Sequence, residues 1–148
     1  MNNKLYYSTG WFNPKSEEEE RRVKAKLREL GFDVFSPRDF FVIPENATLE
    51  VRQKVFEENI KHINECDIFF GITDYKDMGT LVECGIAFGM NQKDTKKRKL
   101  VWYAETLGDN PFNLMLANSG DVIITSFEDL DNLPKYLEKG QIYEGKVQ

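Results

Sequence analysis

Cysteine and histidine are scarce: two of the former, Cys66 and Cys84, and one of the latter, His62, in 148 residues. Two thiols cannot build a disulfide framework, so a reducing, cytoplasmic setting is expected. A zinc centre would have to lean on carboxylates, because the usual Cys and His ligand spacings are missing. No apolar run approaches the ~18 residues of a membrane span, and the start, Met1-Asn2-Asn3-Lys4, leads into no signal-type apolar segment. An excess of positive charge is missing too, since 20 Lys and Arg face 25 Asp and Glu, a net charge of −5. That balance disfavours a nucleic acid partner. The basic cluster Lys93, Lys96, Lys97, Arg98 and Lys99 reads as a solvated loop. Neither G-x-G-x-x-G nor a P-loop pattern occurs, so no phosphate cradle is announced.

Aromatic residues are plentiful, with eleven Phe, six Tyr and two Trp, which argues for a packed core rather than a disordered chain. The length suits one domain over residues 1–148. Short β-type runs alternate with helical patterns. Strands are expected at 4–8, 32–35, 67–72, 100–103 and 122–125. Helices are expected from Ser16 to Gly31, over 49–65, 79–90, 112–117 and 127–137. Ser16 with Glu19 reads as a capping box for the first helix. Leu49, Phe56, Ile60 and Ile63 form the stripe of the second. The run Asp67-Ile68-Phe69-Phe70-Gly71-Ile72 suits a central parallel strand buried on both faces. The tail 143–148 joins no obvious element. This alternation predicts a doubly wound, flavodoxin- or Rossmann-like α/β fold, a five-stranded parallel sheet with helices on both faces. Ligands in such folds sit beyond the carboxyl ends of the strands.

The loop after the third strand carries the most chemistry. Between Met78 and Gln92 the only charged residue is Glu83, on a helix apolar on nearly every side and expected to be buried. An ionised carboxylate there needs partners. Thr80 and Glu83 could form a capping box, or Glu83 and Asp77 could face a cleft as nucleophile and acid; spacing alone leaves both open. In the first loop, Trp11 and Phe12 suit stacking on a planar base, or are simply core. A phosphoreceiver domain is disfavoured, because the first strand ends Tyr7-Ser8-Thr9 rather than in acids. Cys84 reads as a structural thiol, and Asn113 as a ligand amide or a helix-start residue.

Taken in order, several short motifs resemble the nucleoside 2-deoxyribosyltransferases from end to end. They are Gly10-Trp11-Phe12, Phe35-Ser36-Pro37-Arg38, Asp77-x-Gly79-Thr80-x-x-Glu83-x-Gly85, Phe112-Asn113-Leu114-Met115 and Tyr143-Glu144-Gly145-x-Val147. The resemblance implies transfer of 2-deoxyribose between nucleobases through a covalent glycosyl-enzyme, in deoxynucleoside salvage. It implies Glu83 as nucleophile, Tyr6 orienting it, and Asp77 protonating the leaving base. Ser8, Trp11, Phe12 and Gly79 would lie along the substrate. Asn113, Met115 and the Gln148 carboxylate would complete a neighbour's pocket in a homo-oligomer, a dimer or a hexamer. The substrates would be deoxynucleosides and free bases, and no metal or organic cofactor is called for.

Phe41 stands where many members place Gln, and Asn59 where many place Asp. Both belong to the base end, so a modest purine preference is expected, from stacking area rather than hydrogen bonds. Two other functions compete. A hydrolase of 2-deoxynucleoside 5′-monophosphates would need a cation for the phosphate; a silent nucleotide-sensing module would not need both Asp77 and Glu83.

Overall fold

The computed structural model describes residues 3–148. Five strands, β1 (Lys4–Ser8), β2 (Asp33–Phe35), β3 (Ile68–Ile72), β4 (Lys99–Tyr103) and β5 (Val122–Ile124), form one sheet. The order is β2-β1-β3-β4-β5 and every pairing is parallel. Parallel neighbours need crossovers, supplied by α1 (Pro14–Glu29), α2 (Leu49–Glu65), α3 (Met78–Lys93) and α4 (Leu114–Ser119), while α5 (Leu133–Lys139) follows β5. The fold is the expected doubly wound α/β sandwich.

Side chains alternate along each strand and divide the core in two. Leu5, Tyr7, Ile68, Phe70, Val101, Tyr103, Val122 and Ile124 meet α1 and α5 through Val23, Leu27 and Leu133. Tyr6, Phe69, Leu100, Trp102 and Ile123 point the other way, onto Ile63 of α2 and Cys84 and Ala87 of α3. At Gly71 this second layer packs too closely for any side chain, since a Cβ would stand 2.8 Å from Cys84 Sγ. The absence of that Cβ lets α3 lie against β3, which carries the neighbouring Glu83 over the strand ends.

Several local expectations are corrected. Helix α1 begins at Pro14, with Asn13 as N-cap and a capping box between Asn13 and Ser16. Asn13 wins because Pro14 fits the first helical position, and Glu19 is turned into the protein instead. On α2 only Ile63 is buried; Leu49 is 75% and Phe56 56% exposed. On α3, Met78, Leu81, Val82 and Phe88 are exposed, so its apolar character is not spent within the chain. Phe112 precedes α4 and bridges in parallel to Val147. The expected last helix splits into a 3-10 turn, Glu128–Asn132, and α5. The tail is stitched down: Phe112 N donates to Lys146 O at 2.8 Å, Gln148 N to Phe112 O at 3.0 Å, and Leu114 N to Gln148 O at 2.8 Å.

Candidate active site

The strand order reverses between β1 and β3, and the loops leaving these two strands diverge to open a cleft. A cavity of about 450 Å³ lies there, walled by Ser8, Thr9, Trp11 and Phe12 after β1, by Pro37 and Arg38 after β2, by Asn59 of α2, and by Asp77, Gly79 and Glu83.

Glu83 lies in the second turn of α3 with both oxygens engaged. Tyr6 OH donates to Oε2, and Ser8 Oγ donates to Oε1 at 2.7 Å. Burial pushes the Glu83 pKa above the usual carboxylate range; the Tyr6 and Ser8 hydrogen bonds pull it back, and nearby Asp77 pushes it up again. Tyr6 is fully buried, and burial, with the Glu83 charge behind it, drives the phenol pKa far upward. Tyr6 therefore stays protonated and acts only as a donor. Ser8, which the family resemblance places along the substrate, lines the cleft and donates to Glu83.

The helix start is capped by Asp77, not by a Thr80–Glu83 box. Asp77 Oδ2 accepts from Thr80 N and from Thr80 Oγ1, each at 2.9 Å. Relieved of capping, Glu83 is free to face the cleft. Asp77 also explains Gly10, where a Cβ would meet Asp77 Cγ and Oδ1 at 2.9 Å. The two loops thus touch backbone to carboxylate. Just before Asp77 the chain turns through two left-handed residues, Tyr75 (φ 63°) and Lys76 (φ 51°), a costly conformation that persists where surrounding contacts impose it. Asp74 anchors the start of this turn, accepting from Glu105 N at 2.9 Å and Thr106 N at 3.0 Å. Sequence reading missed Asp74; its only signal was an acidic residue just past a buried strand.

The base-end candidates separate. Trp11 stacks on Phe12 at 5.3 Å, and the Arg38 guanidinium lies 5.4 Å over the Trp11 ring. Arg38 was quoted in a motif but given no role; its Nη2 pairs with Glu17 at 2.6 Å and its Nη1 with buried Glu20 at 3.1 Å. Asn59 faces the cavity with Oδ1 buried and without a hydrogen-bond donor. Phe41 is not in this wall; it packs beside Phe40, which stacks on Phe35 away from the cleft. Asn113, Met115 and Gln148 line a second, larger cavity of about 1010 Å³, with Leu81 and Phe88 of α3, and share no wall with Glu83. Asn113 is the N-cap of α4, its side chain accepting from Met115 N at 2.9 Å and Leu116 N at 3.2 Å. Cys84 is buried against Gly71 with its thiol pKa raised by burial, as a structural thiol would be. Among the described residues no group of three or more His, Cys, Asp or Glu is arranged to hold a metal ion.

Fold and site together define a doubly wound α/β protein with a hydrogen-bonded carboxylate at its topological switch point. The family model described as Nucleoside 2-deoxyribosyltransferase matches residues 5–133, and the chain belongs to that family. Among solved structures it is similar to a 2-deoxyribosyltransferase from the psychrotolerant bacterium Bacillus psychrosaccharolyticus, described as a suitable biocatalyst for industrial synthesis of antiviral and antitumoral nucleosides. That likeness has a TM-score of 0.79 at 28% identity, over 95% of this chain and 98% of that one. A conserved protein from Enterococcus faecalis V583 shares the fold, with a TM-score of 0.69 at 16% identity over 93% of this chain and 99% of its own. No curated protein matches the sequence significantly.

Proposed function

We propose that the protein transfers 2-deoxyribose from a deoxynucleoside to a free nucleobase through a covalent deoxyribosyl–Glu83 ester. The observation that carries this reading is the Glu83 carboxylate itself, held by two hydroxyl donors in the cleft of a chain of this family. Glycosyl transfer with retention needs a carboxylate nucleophile and a proton source for the leaving group. Glu83 is the nucleophile, Tyr6 fixes its unreacting oxygen, and Asp77 supplies the proton to the departing base. Trp11 and Phe12 give the base a stacking wall, and Asn59 offers its unpaired acceptor to a base N–H. Gly79, without a side chain beside Asp77, leaves room for the sugar. A deoxyribosyl centre lacks the electron-withdrawing 2′-hydroxyl, so its oxocarbenium-like transition state is easier to reach without a cofactor.

The monophosphate hydrolase reading is weakened by charge. Arg38 is the basic residue of the cavity wall, and both its terminal nitrogens are bound to Glu17 and Glu20. With the Glu83 carboxylate in the same wall, the cavity disfavours a 5′-phosphate and suits a neutral nucleoside. The same reading assigns the enzyme to deoxynucleoside salvage in the cytoplasm, and free, buried Cys66 and Cys84 agree with a reducing compartment. It also makes the protein a homo-oligomer, in which Asn113, Met115 and Gln148 serve a neighbouring site.

Incubation with deoxyinosine plus adenine or cytosine, followed by chromatography, tests the activity. New deoxynucleoside supports the transferase; free base without it means hydrolysis; no reaction with any donor base leaves the silent module.

A further inference from the structure

The geometry points to Ser8 as a catalytic residue of the second half-reaction, its hydroxyl aimed at the Glu83 oxygen that leaves the sugar when the acceptor base attacks. This rests on the deoxyribosyltransferase reading of the site. The two carboxylate oxygens are not equivalent. Oε2 accepts from Tyr6, which is fully buried and borders a separate cavity with Phe35, His62 and Cys66. Oε1 accepts from Ser8, and Ser8 rather than Tyr6 joins Glu83 in the wall of the cleft that holds Trp11 and Asp77. Oε1 is therefore the oxygen that a sugar in the cleft meets, and Oε2 remains as the ester carbonyl.

In the first half-reaction a lone pair on Oε1 forms the bond to C1′ while the C1′–N bond breaks. The electron pair of that bond leaves on the base nitrogen, and the base takes one proton from Asp77. In the second half a ring-nitrogen lone pair of the acceptor base bonds to C1′. The C1′–Oε1 bond breaks, its pair returns to Oε1 as carboxylate, and the surplus ring proton goes to Asp77. Negative charge on Oε1 thus falls as the ester forms and is restored as it breaks. A carboxylate oxygen accepts a hydrogen bond strongly and an ester alkoxy oxygen poorly. The Ser8 donor is nearly idle in the intermediate and is recovered as charge develops on the leaving oxygen, which is oxyanion stabilisation. In an oxocarbenium-like transition state the C1′–O bond is long, so Oε1 already carries most of its charge. Ser8 therefore accelerates ester breakdown by close to the full worth of its bond and scarcely changes ester formation. Tyr6 stays bonded to Oε2 throughout and supports both halves.

Rapid-quench kinetics with deoxyinosine and adenine, read beside intact-mass detection of the Glu83 adduct, separate the two steps. For Ser8→Ala the expected burst of hypoxanthine stays within about three-fold of wild type. Steady-state transfer slows about ten-fold or more, the worth of a hydrogen bond to a charged group, and the adduct accumulates. Tyr6→Phe should slow burst and turnover together. Equal slowing of both phases in Ser8→Ala, or turnover without adduct accumulation, would overturn the assignment while leaving Glu83 as nucleophile. Absence of base release and of any Glu83 adduct in the wild type would overturn it together with the transferase reading beneath it.

Discussion

At the scale of single residues, two buried carboxylates are held in opposite states, Glu83 in the cleft and Glu19 beneath the Asp74 loop. As the proposed nucleophile, Glu83 must be ionised, yet burial raises its pKa above 4.5 against the pull of Tyr6 and Ser8. The acid limb of the pH profile of kcat/KM is therefore expected above the ordinary glutamate range. Ser8→Ala removes one lowering hydrogen bond and should move that limb further toward neutral pH. Profiles of base release for both proteins check this, and an unmoved limb would detach Ser8 from Glu83. Glu83→Gln should fold normally and lose several powers of ten in rate, because an amide cannot form the glycosyl ester. Glu19 is the opposite case. It is 2% exposed and neither oxygen meets an N–H or O–H donor. Burial first, then Asp74 and Glu105 beside it, raise it from 4.5 to about 10, which favours its protonated form. The native state holds a proton there that the unfolded chain gives up above about 4.5. Its contribution to stability is thus full below that pH, falls as pH rises, and is gone above about 10. Glu19→Gln, an amide that donates at every pH, should flatten this fall; melting curves at about pH 6 and about pH 9 measure it. Asn59→Asp should alter the ratio of purine to pyrimidine kcat/KM by no more than about ten-fold, one exchanged hydrogen bond, without unfolding the protein. Phe41 drops out of that account, because it does not face the cleft.

At the scale of elements, Asp77 does two things that substitution can separate. It caps α3 through Oδ2, and in the proposed chemistry it protonates the leaving base. Asn caps about as well as Asp, whereas Ala removes the cap at a cost of about 1 kcal/mol. Asp77→Asn should therefore keep the melting temperature and slow base release, while Asp77→Ala loses stability as well. If both variants kept wild-type rates of base release, the acid role would fall and only the cap would stand. The cap also illustrates what the chain's pattern could and could not reveal. The five strands and their order of alternation with helices were legible, because strands buried on both faces leave near-continuous apolar runs such as Ile68–Ile72. Residue identities also singled out Glu83, the one charge between Met78 and Gln92. Cap assignment was not legible, since Asp77, Thr80 and Glu83 all have capping chemistry and only the backbone decides which one faces the helix start. The loop tether at Asp74 was equally hidden, because its partners Glu105 and Thr106 lie more than thirty positions away.

At the scale of the whole molecule, helical periodicity announces that a face is covered without saying by what. The stripe Leu49, Phe56, Ile60, Ile63 and the apolar sides of α3 were read as core. Yet Leu49, Phe56, Leu81, Val82, Phe88 and Met115 all reach solvent in the single chain. Exposed apolar area on that scale is unusual for a protein that acts alone. The larger cavity joins the same α3 face to Asn113, Met115 and Gln148, and it shares no lining residue with the cleft of Glu83. A twofold pairing of copies through α3 and α4 would cover the apolar surface. It would also bring the α4 residues of one copy to the cleft of the other, each giving what it receives. That arrangement makes a prediction that no monomeric enzyme can meet. Glu83→Gln and Met115→Asp are each expected to be nearly inactive, the first for want of a nucleophile and the second because it spoils its neighbour's site. Unfolded and refolded together in equal amounts, they form mixed pairs in which one site receives Glu83 from one copy and Met115 from the other. Half the pairs are mixed and one of their two sites is whole, so activity should return to about a quarter of wild type. Recovery scaling with the mixed fraction, followed by chromatography of the transferred deoxynucleoside, would establish a shared site. Activity that stays at the level of the separate variants, while light scattering shows pairs forming, would place Met115 and the tail in a purely structural contact.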